Sequence, residues 1–135
     1  MGLRVGCQIR WLGEVWVAVP EWKETAMWTI TTRGFYSTVA HRDKPDSVLV
    51  RGRVREDLDN LADLIPNLEV FEDSTADYRW RAVVTKEAWG NAIRQLTAEV
   101  DYDNFKNAVA ARQGKDRAHV YSAVWEDLYT LQVSQ

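Results

Sequence analysis

The sequence predicts an α+β domain over residues 27–135, preceded by an N-terminal extension at residues 1–26. The chain has 135 residues, about the length of one average domain. Its 46% hydrophobic and 27% charged residues are typical of a globular protein. From residue 27 onward, strand-like segments come first and helical patterns follow, which favours the α+β class.

The first three segments of the domain are predicted β-strands. Residues 28–32 are rich in β-branched side chains, and Arg33-Gly34 turns the chain into a second strand at residues 35–42. After a polar turn at 43–46, residues 47–54 alternate, with valines on one face and arginines on the other.

A helix, a hairpin and a second helix are expected next. The stripe of the first helix, over residues 56–65, consists of Leu58, Leu61, Leu64 and Ile65, and Pro66 ends it. Residues 68–72 and 78–85 are predicted to pair as a hairpin. Thr85 is a good N-cap for a helix whose apolar face carries Trp89, Ile93, Leu96 and Val100.

Two further helices are predicted at the C-terminal end. Asp101 or Asp103 is expected to cap a short helix that Gly114 closes, and Asp116 is expected to cap the last one. The stripe of the last helix consists of Val120, Tyr121, Val124, Trp125, Leu128 and Leu131. The order strand–helix–strand–strand–helix at residues 47–100 predicts a ferredoxin-like antiparallel sheet packed on helices, with extra N-terminal strands and two C-terminal helices.

The first 26 residues differ from the rest of the chain. Their charges cancel (Arg4, Arg10 and Lys23 against Glu14, Glu21 and Glu24), and they hold three of the seven tryptophans. Two interpretations stay open. In the first, translation begins at Met27, and the codons of Lys23 and Glu24 form a ribosome-binding sequence upstream of it. In the second, residues 7–11 and 14–19 form a genuine strand pair.

Cysteine and histidine content bounds the chemistry. Cys7 is the only cysteine, so a disulfide within the chain is excluded and a cytoplasmic setting is expected. His41 and His119 are the only histidines, and neither a metal site nor a cofactor motif can be assembled. No apolar run reaches the roughly 18 residues of a membrane-spanning helix.

The distribution of charge is the most informative functional signal. Period-two geometry places Arg51 with Arg53, and Arg79 with Arg81, on one open face of the sheet, with Arg42 and Tyr36 nearby. Clustered guanidinium groups beside an aromatic ring are suited to bind nucleic acid or another polyanion. The alternative is that acids at 69–73 pair with Arg79 and Arg81 across the hairpin.

Two other functions remain open. Residues 56–77 hold eight acidic side chains and no basic one, which permits a protein-interaction or inhibitor surface for a basic host protein. Its candidate residues are Asp57, Asp59, Asp63, Glu69, Glu72 and Asp73. The other possibility is an enzyme with His41 in its site, although no catalytic set of residues supports it.

Several short motifs resemble a group of small proteins from actinobacteria and their bacteriophages. These motifs are Met27-Trp28, Gly34-Phe35-Tyr36-Ser37, His41-Arg42, Val50-Arg51 and the run from Asp101 to Lys106. The resemblance covers about residues 27–132, and its members open at the equivalent of Met-Trp. It implies a bacterial or phage setting and brings no activity or catalytic residues. The leading prediction is a small non-enzymatic accessory binding protein.

Overall fold

The computed structural model describes the strands at 7–11 and 16–20, as backbone only, and residues 26–134 in full. The strands are β1 (Cys7–Trp11), β2 (Trp16–Pro20), β3 (Met27–Ile30), β4 (Phe35–Ala40), β5 (Ser47–Gly52), β6 (Phe71–Glu72) and β7 (Trp80–Thr85). The helices are α1 (Arg55–Asp59), α2 (Lys86–Ala98), α3 (Phe105–Gln113) and α4 (Lys115–Val133). The predicted α+β class is confirmed.

Strands β3 to β7 form one antiparallel sheet in the order β3-β4-β5-β7-β6. The class and the antiparallel pairing agree with the prediction, but this order does not establish a ferredoxin-like fold. The strand beside β5 on its outer side is β4, which precedes it in the chain, whereas a ferredoxin-like sheet places there a strand that follows α2. Helices α3 and α4 occupy that part of the sequence instead.

β1 and β2 pair with each other as a separate two-stranded antiparallel sheet, from Cys7 opposite Pro20 to Trp11 opposite Trp16. This corresponds to the strand pair that the sequence suggests at 7–11 and 14–19. The second strand lies one to two residues further along than expected.

The hydrophobic core lies on one face of the five-stranded sheet. The strands contribute Tyr36, Val48, Val50, Ala82 and Val84 to it. Helix α1 and the turns after it add Leu58, Leu61, Leu64 and Ile65, and α2 adds Trp89, Ala92 and Leu96. The valine alternation of β5 therefore marks the helix-covered face, as the sequence predicts.

The helix predicted over residues 56–65 is shorter than expected. Regular α-helix ends at Asp59, and the chain then continues to Ile65 in turns. Leu61 and Ala62 donate their backbone N–H groups to carbonyls three residues back, in place of the four of an α-helix. The leucine stripe still reaches the core, because these turns keep a near-helical spacing.

Helix α2 begins as predicted, with the Thr85 hydroxyl accepting a hydrogen bond from the Ala88 N–H. The two later cap predictions are wrong. Asn104 caps α3 through its side chain, and α4 begins at Lys115 with Gly114 as its N-cap residue and no side-chain cap. Gly114 closes α3, as expected, at a φ of 96° that favours glycine. Because Gly114 is the only residue between the two helices, Asp116 lies in the first turn of α4 and cannot be its N-cap.

Helices α3 and α4 pack against one end of the sheet. Val109, Ala118 and Tyr121 form a second apolar cluster, with Ile30 and Phe35 packed against it. The predicted stripe of α4 is only partly buried, because beyond Tyr121 the large apolar side chains Trp125, Leu128 and Leu131 are exposed.

Candidate polyanion-binding face

The face of the sheet opposite the core carries one continuous row of side chains. Register pairs Trp28 with Ser37, Ser37 with Arg51, Arg51 with Arg81 and Arg81 with Phe71. Directly paired residues of antiparallel strands project from the same face, so the row crosses all five strands. Its two ends are exposed aromatic rings, Trp28 at 64% and Phe71 at 44% of full exposure, and its centre is a pair of arginines.

Two arginines of this face share one aromatic ring. The guanidinium carbon of Arg51 lies 4.5 Å from the centre of the Tyr78 ring, and that of Arg53 lies 4.1 Å from it. Both distances are within cation–π range. Arg51 is 5% exposed and its Nη2 donates to the Ser37 hydroxyl at 2.7 Å, whereas Arg53 is exposed and donates to the Asp77 carbonyl.

Arg81 completes the group, which we call the arginine cluster (Arg51, Arg53 and Arg81). Its Nε donates to the backbone carbonyl of Tyr78 at 3.0 Å. Tyr78 is also the residue whose ring contacts Arg51 and Arg53. Within residues 26–134, no carboxylate lies at ion-pairing distance from any member of the cluster. The arginines of that range that do have such a partner are Arg33, Arg55, Arg79, Arg112 and Arg117.

The electrostatic consequence is visible at Arg51. Burial lowers the pKa of its guanidinium and the charges of Arg81 and Arg53 lower it further, while Tyr78 and the Asp77 carboxylate partly offset this lowering. Three like charges held close together without an ion-paired carboxylate raise the electrostatic potential of this face, and an anion placed beside them would relieve their repulsion.

An aromatic chain supports the cluster from the β3 side. Trp28 and Phe35 pack edge to face with centroids 5.6 Å apart, and Phe35 lies 6.3 Å from Tyr78. Phe35 also packs against the α3–α4 cluster. Trp28, Phe35 and Tyr78 thereby connect the open face to the end of the sheet where α3 and α4 pack.

Not all residues predicted for this face lie on it. Tyr36 is fully buried in the core on the opposite face, where its hydroxyl donates to the Asp57 carbonyl at 2.8 Å. Arg42 is exposed in the turn beyond the other end of β4, several residues along the sheet from Arg51. Neither contributes to the arginine cluster.

Arg79 is also separated from the cluster. Its Nη2 lies 2.6 Å from a Glu72 oxygen and its guanidinium lies 5.7 Å from the ring centre of Trp80, which packs on the core. The alternative pairing across the hairpin is therefore realised at Arg79. Tyr78, in contrast, lies on the open face beside Arg51 and Arg53, because alternation is interrupted between Tyr78 and Trp80, where β7 begins.

The acidic residues of 56–77 do not form one surface. Asp57 is buried and paired with Arg117 at 2.8 Å, Asp63 is paired with Arg33 at 2.6 Å, and Glu72 is paired with Arg79. Asp59 lies 3.4 Å from Arg55. Glu69 is exposed, and the Asp73 carboxylate accepts hydrogen bonds from Thr75. No observation favours the acidic surface as a docking site for a basic protein.

His41 has a structural contact that accounts for its position. Its Nδ1 accepts hydrogen bonds from the backbone N–H groups of Asp43 and Lys44, at 3.0 and 3.1 Å, and so closes the turn after β4. This nitrogen is already used, which does not favour the enzyme hypothesis. Among the residues that the structure describes, no three His, Cys, Asp or Glu side chains come together to hold a metal ion.

Trp28, Tyr78 and Phe71 are the candidate residues that sequence reasoning missed. Knowledge of the strand register would have identified Trp28 and Phe71, because pairing places each of them in the same row as Arg51. That register cannot be read from the sequence alone. Within residues 26–134, none of the helices combines the length and apolar character needed to cross a membrane.

Comparison with protein-family models, with curated proteins and with solved structures finds no match to this chain.

Proposed function

We propose that this protein is a small, non-enzymatic accessory factor of a bacterium or bacteriophage. It acts in the cytoplasm, binding single-stranded nucleic acid or a similar polyanion on the open face of its sheet. The observation that carries the proposal is the arginine cluster, three guanidinium groups side by side with no carboxylate partner in the described part of the chain. Unpaired arginines are the groups that phosphates bind best.

Each part of the face has a role in this proposal. Arg53 is exposed and Arg81 is half-buried, and both bind phosphate oxygens, while the buried Arg51 holds Tyr78 and Ser37 in place and adds charge. Trp28 and Phe71 offer exposed rings at the two ends of the row, on which bases stack. Single strands are favoured over duplex, because stacking on these rings needs unpaired bases.

The ferredoxin-like interpretation belongs to the same proposal. The strands β5, β7 and β6 are adjacent in that order and α1 connects β5 to β6 on the core face. We infer that this unit is a ferredoxin-like half whose outer strand is supplied by β4. Helices α1 and α2 cover one face of this sheet, and the cluster lies on the other face, which α3 and α4 contact at its β3–β4 end through Ile30 and Phe35.

The test is a titration of a fluorescently labelled single-stranded oligonucleotide with the full chain, followed by anisotropy. We expect the double substitution Arg53→Ala/Arg81→Ala to weaken binding at least tenfold. It should also reduce the slope of log affinity against log salt by about 1.4, since each phosphate contact on single strands contributes about 0.7.

The matched control is Arg55→Ala/Arg79→Ala, which removes the same charge from the Trp80 side of the sheet. It should change affinity by less than threefold. Equal losses in the two double variants would mean that only net charge matters, and no binding by the unaltered protein at low salt would end the proposal.

Stacking is tested separately at Trp28. Replacing the ring by Trp28→Ala should cost about 1–3 kcal/mol of binding, the range for one stacked base, whereas Trp28→Phe should retain most of it. If both variants bind like the unaltered protein, Trp28 takes no part in the interface.

A further inference from the structure

Helix α4 extends well past the helix that packs against it. α3 has 9 residues and α4 has 19, so α4 is roughly 14–15 Å longer at 1.5 Å per residue. The face of α4 that packs on the body through Ala118 and Tyr121 continues beyond Tyr121 with the same helical spacing. There it meets no element in the described part of the chain.

This extension carries a wide apolar surface. The exposed large side chains of α4 are Val120, Trp125, Leu128, Tyr129, Leu131 and Val133, each between 45% and 65% exposed. Trp125 and Tyr129 stack with their ring centres 5.4 Å apart, and with Leu128, Leu131 and Gln132 they line a surface groove. A patch of this kind on one helix is the usual sign of a binding surface rather than of chance exposure.

We propose that a second copy of this chain covers the α4 stripe (Val124, Trp125, Leu128, Leu131 and Gln132). The two helices pair antiparallel about a two-fold axis at Leu128. The stripe is self-complementary in that arrangement: Leu128 meets Leu128, Trp125 meets Leu131, and Val124 meets Gln132. A two-fold interface requires one patch that fits itself in this way, and here the uncovered lengths of the two helices match without overhang.

The available area supports a second copy. Bringing two such stripes together removes on the order of 1,000 Å² from water, near the lower limit of stable interfaces. The stripe itself bears no charge. The two acidic residues of the extension, Glu126 and Asp127, lie outside the stripe. A dimer therefore brings four carboxylates near its flanks, where salt screens their mutual repulsion.

The test is sedimentation equilibrium of the full chain at several protein and salt concentrations. We expect a concentration-dependent dimer that strengthens as salt rises, the opposite of the salt response expected for oligonucleotide binding. Leu128→Glu should weaken dimerisation at least tenfold, since it buries two facing carboxylates. Thr130→Glu, on the opposite side of the helix, should leave it within threefold.

Both substitutions replace exposed side chains, so each variant should keep the melting temperature of the unaltered monomer. A monomer at every concentration, or a dimer equally strong in Leu128→Glu, would overturn the proposal. Oligonucleotide binding per chain in Leu128→Glu reports on the arginine cluster separately, so the two proposals fail independently.

Cross-linking distinguishes the antiparallel pairing from other arrangements. In a Cys7→Ser background, Leu128→Cys should form an intermolecular disulfide under mild oxidation, because the two-fold axis passes beside it. Val120→Cys should not, since its counterpart lies beyond the partner's helix. Efficient cross-linking at both positions would indicate a parallel pair and contradict the geometry.

Discussion

At Arg33 and Arg117, buried or half-buried guanidinium groups are paired with carboxylates of other elements. Arg33 donates to Glu99 and to Asp63, and these hydrogen bonds raise its pKa. Burial lowers the pKa of Arg117, but its hydrogen bonds to Asp57 and Tyr121 and the charge of Asp57 together outweigh that effect, and the pKa is raised. In the arginine cluster burial acts without a carboxylate partner, and the pKa of Arg51 is lowered. The same residue type therefore stabilises the fold through ion pairs at one end of the sheet and has no ion-paired carboxylate in the arginine cluster.

Gly34 provides a test at the scale of one residue. A Cβ atom at this position would lie 2.5 Å from the Asp57 Cγ, and Asp57 is fixed by Arg117 and by the Phe35 N–H. We expect Gly34→Ala to lower the free energy of unfolding by about 2–3 kcal/mol, as overpacking does. Urea denaturation measures the change.

Gly90 is the matched control for Gly34. It lies inside helix α2, and a Cβ atom at this position would have no neighbouring atom within 4 Å. Gly90→Ala should raise stability by about 0.5–1 kcal/mol, because alanine loses less backbone entropy in a helix. Destabilisation by both substitutions would contradict the contact described at Gly34.

At the scale of elements, short-range signals determine where several segments begin and end. Thr85 is predicted as the N-cap of α2, and its hydroxyl accepts from Ala88. Gly114 is predicted to end α3 and does so at positive φ. The shortening of α1 and the break in alternation at Tyr78 have no such local signal, because each depends on what the segment packs against.

The cap at Thr85 gives the prediction for this scale. Thr85→Ala should lower the free energy of unfolding by about 1 kcal/mol, since the Ala88 N–H loses its partner. Thr85→Ser keeps the hydroxyl and should retain most of that stability. Thermal or urea unfolding measures both variants, and equal losses in the two would show that the methyl group matters more than the hydrogen bond.

For the whole molecule, ion pairs tie the helices to one end of the sheet. Arg33 precedes β4 and reaches Asp63, in the turns after α1, and Glu99 at the end of α2. Arg117 of α4 reaches Asp57 of α1. These bonds connect segments that are distant in sequence, so they stabilise the assembly of the elements more than any single element.

These ion pairs should make the free energy of unfolding decrease at acid pH. Hydrogen bonds from Arg33 lower the pKa of Glu99, from an ordinary 4.5, and of Asp63, from 3.8. A carboxylate whose pKa is lowered by folding stabilises the protein above its ordinary pKa and stops doing so as pH falls through the lowered value. We expect the free energy of unfolding to decrease steadily below about pH 4.5.

Glu99→Gln tests this origin. The variant should lose about 1–2 kcal/mol near neutral pH, as for a hydrogen bond to a charged group. Its unfolding free energy should also fall less steeply in acid. Urea denaturation at a series of pH values gives both quantities, and an unchanged acid slope in the variant would assign the pH dependence to other carboxylates.

The candidate site was only partly predictable from the sequence. Period-two alternation correctly placed Arg51 with Arg53 and separated them from the core valines of β5. It misplaced Arg79, because alternation is interrupted just before β7, and it included Tyr36, which the same rule applied to β4 puts in the core beside Val50. The aromatic ends of the row, Trp28 and Phe71, depend on strand register, which arises from pairing between segments far apart in sequence.

The sequence by itself determined the fold class, most of the strands and helices, and the amphipathic faces of β5 and α4. These follow from local periodicity and from capping residues, which act within one or two turns of the chain. Only the tertiary structure decided which charges are neutralised and which faces are covered. Arg33 and Arg51 have similar local surroundings in the sequence, yet one is held by two carboxylates and the other by a tyrosine ring. The stripe of α4 has the periodicity of a core helix but is left exposed, because burial depends on the length of the neighbouring helix and not on the pattern itself.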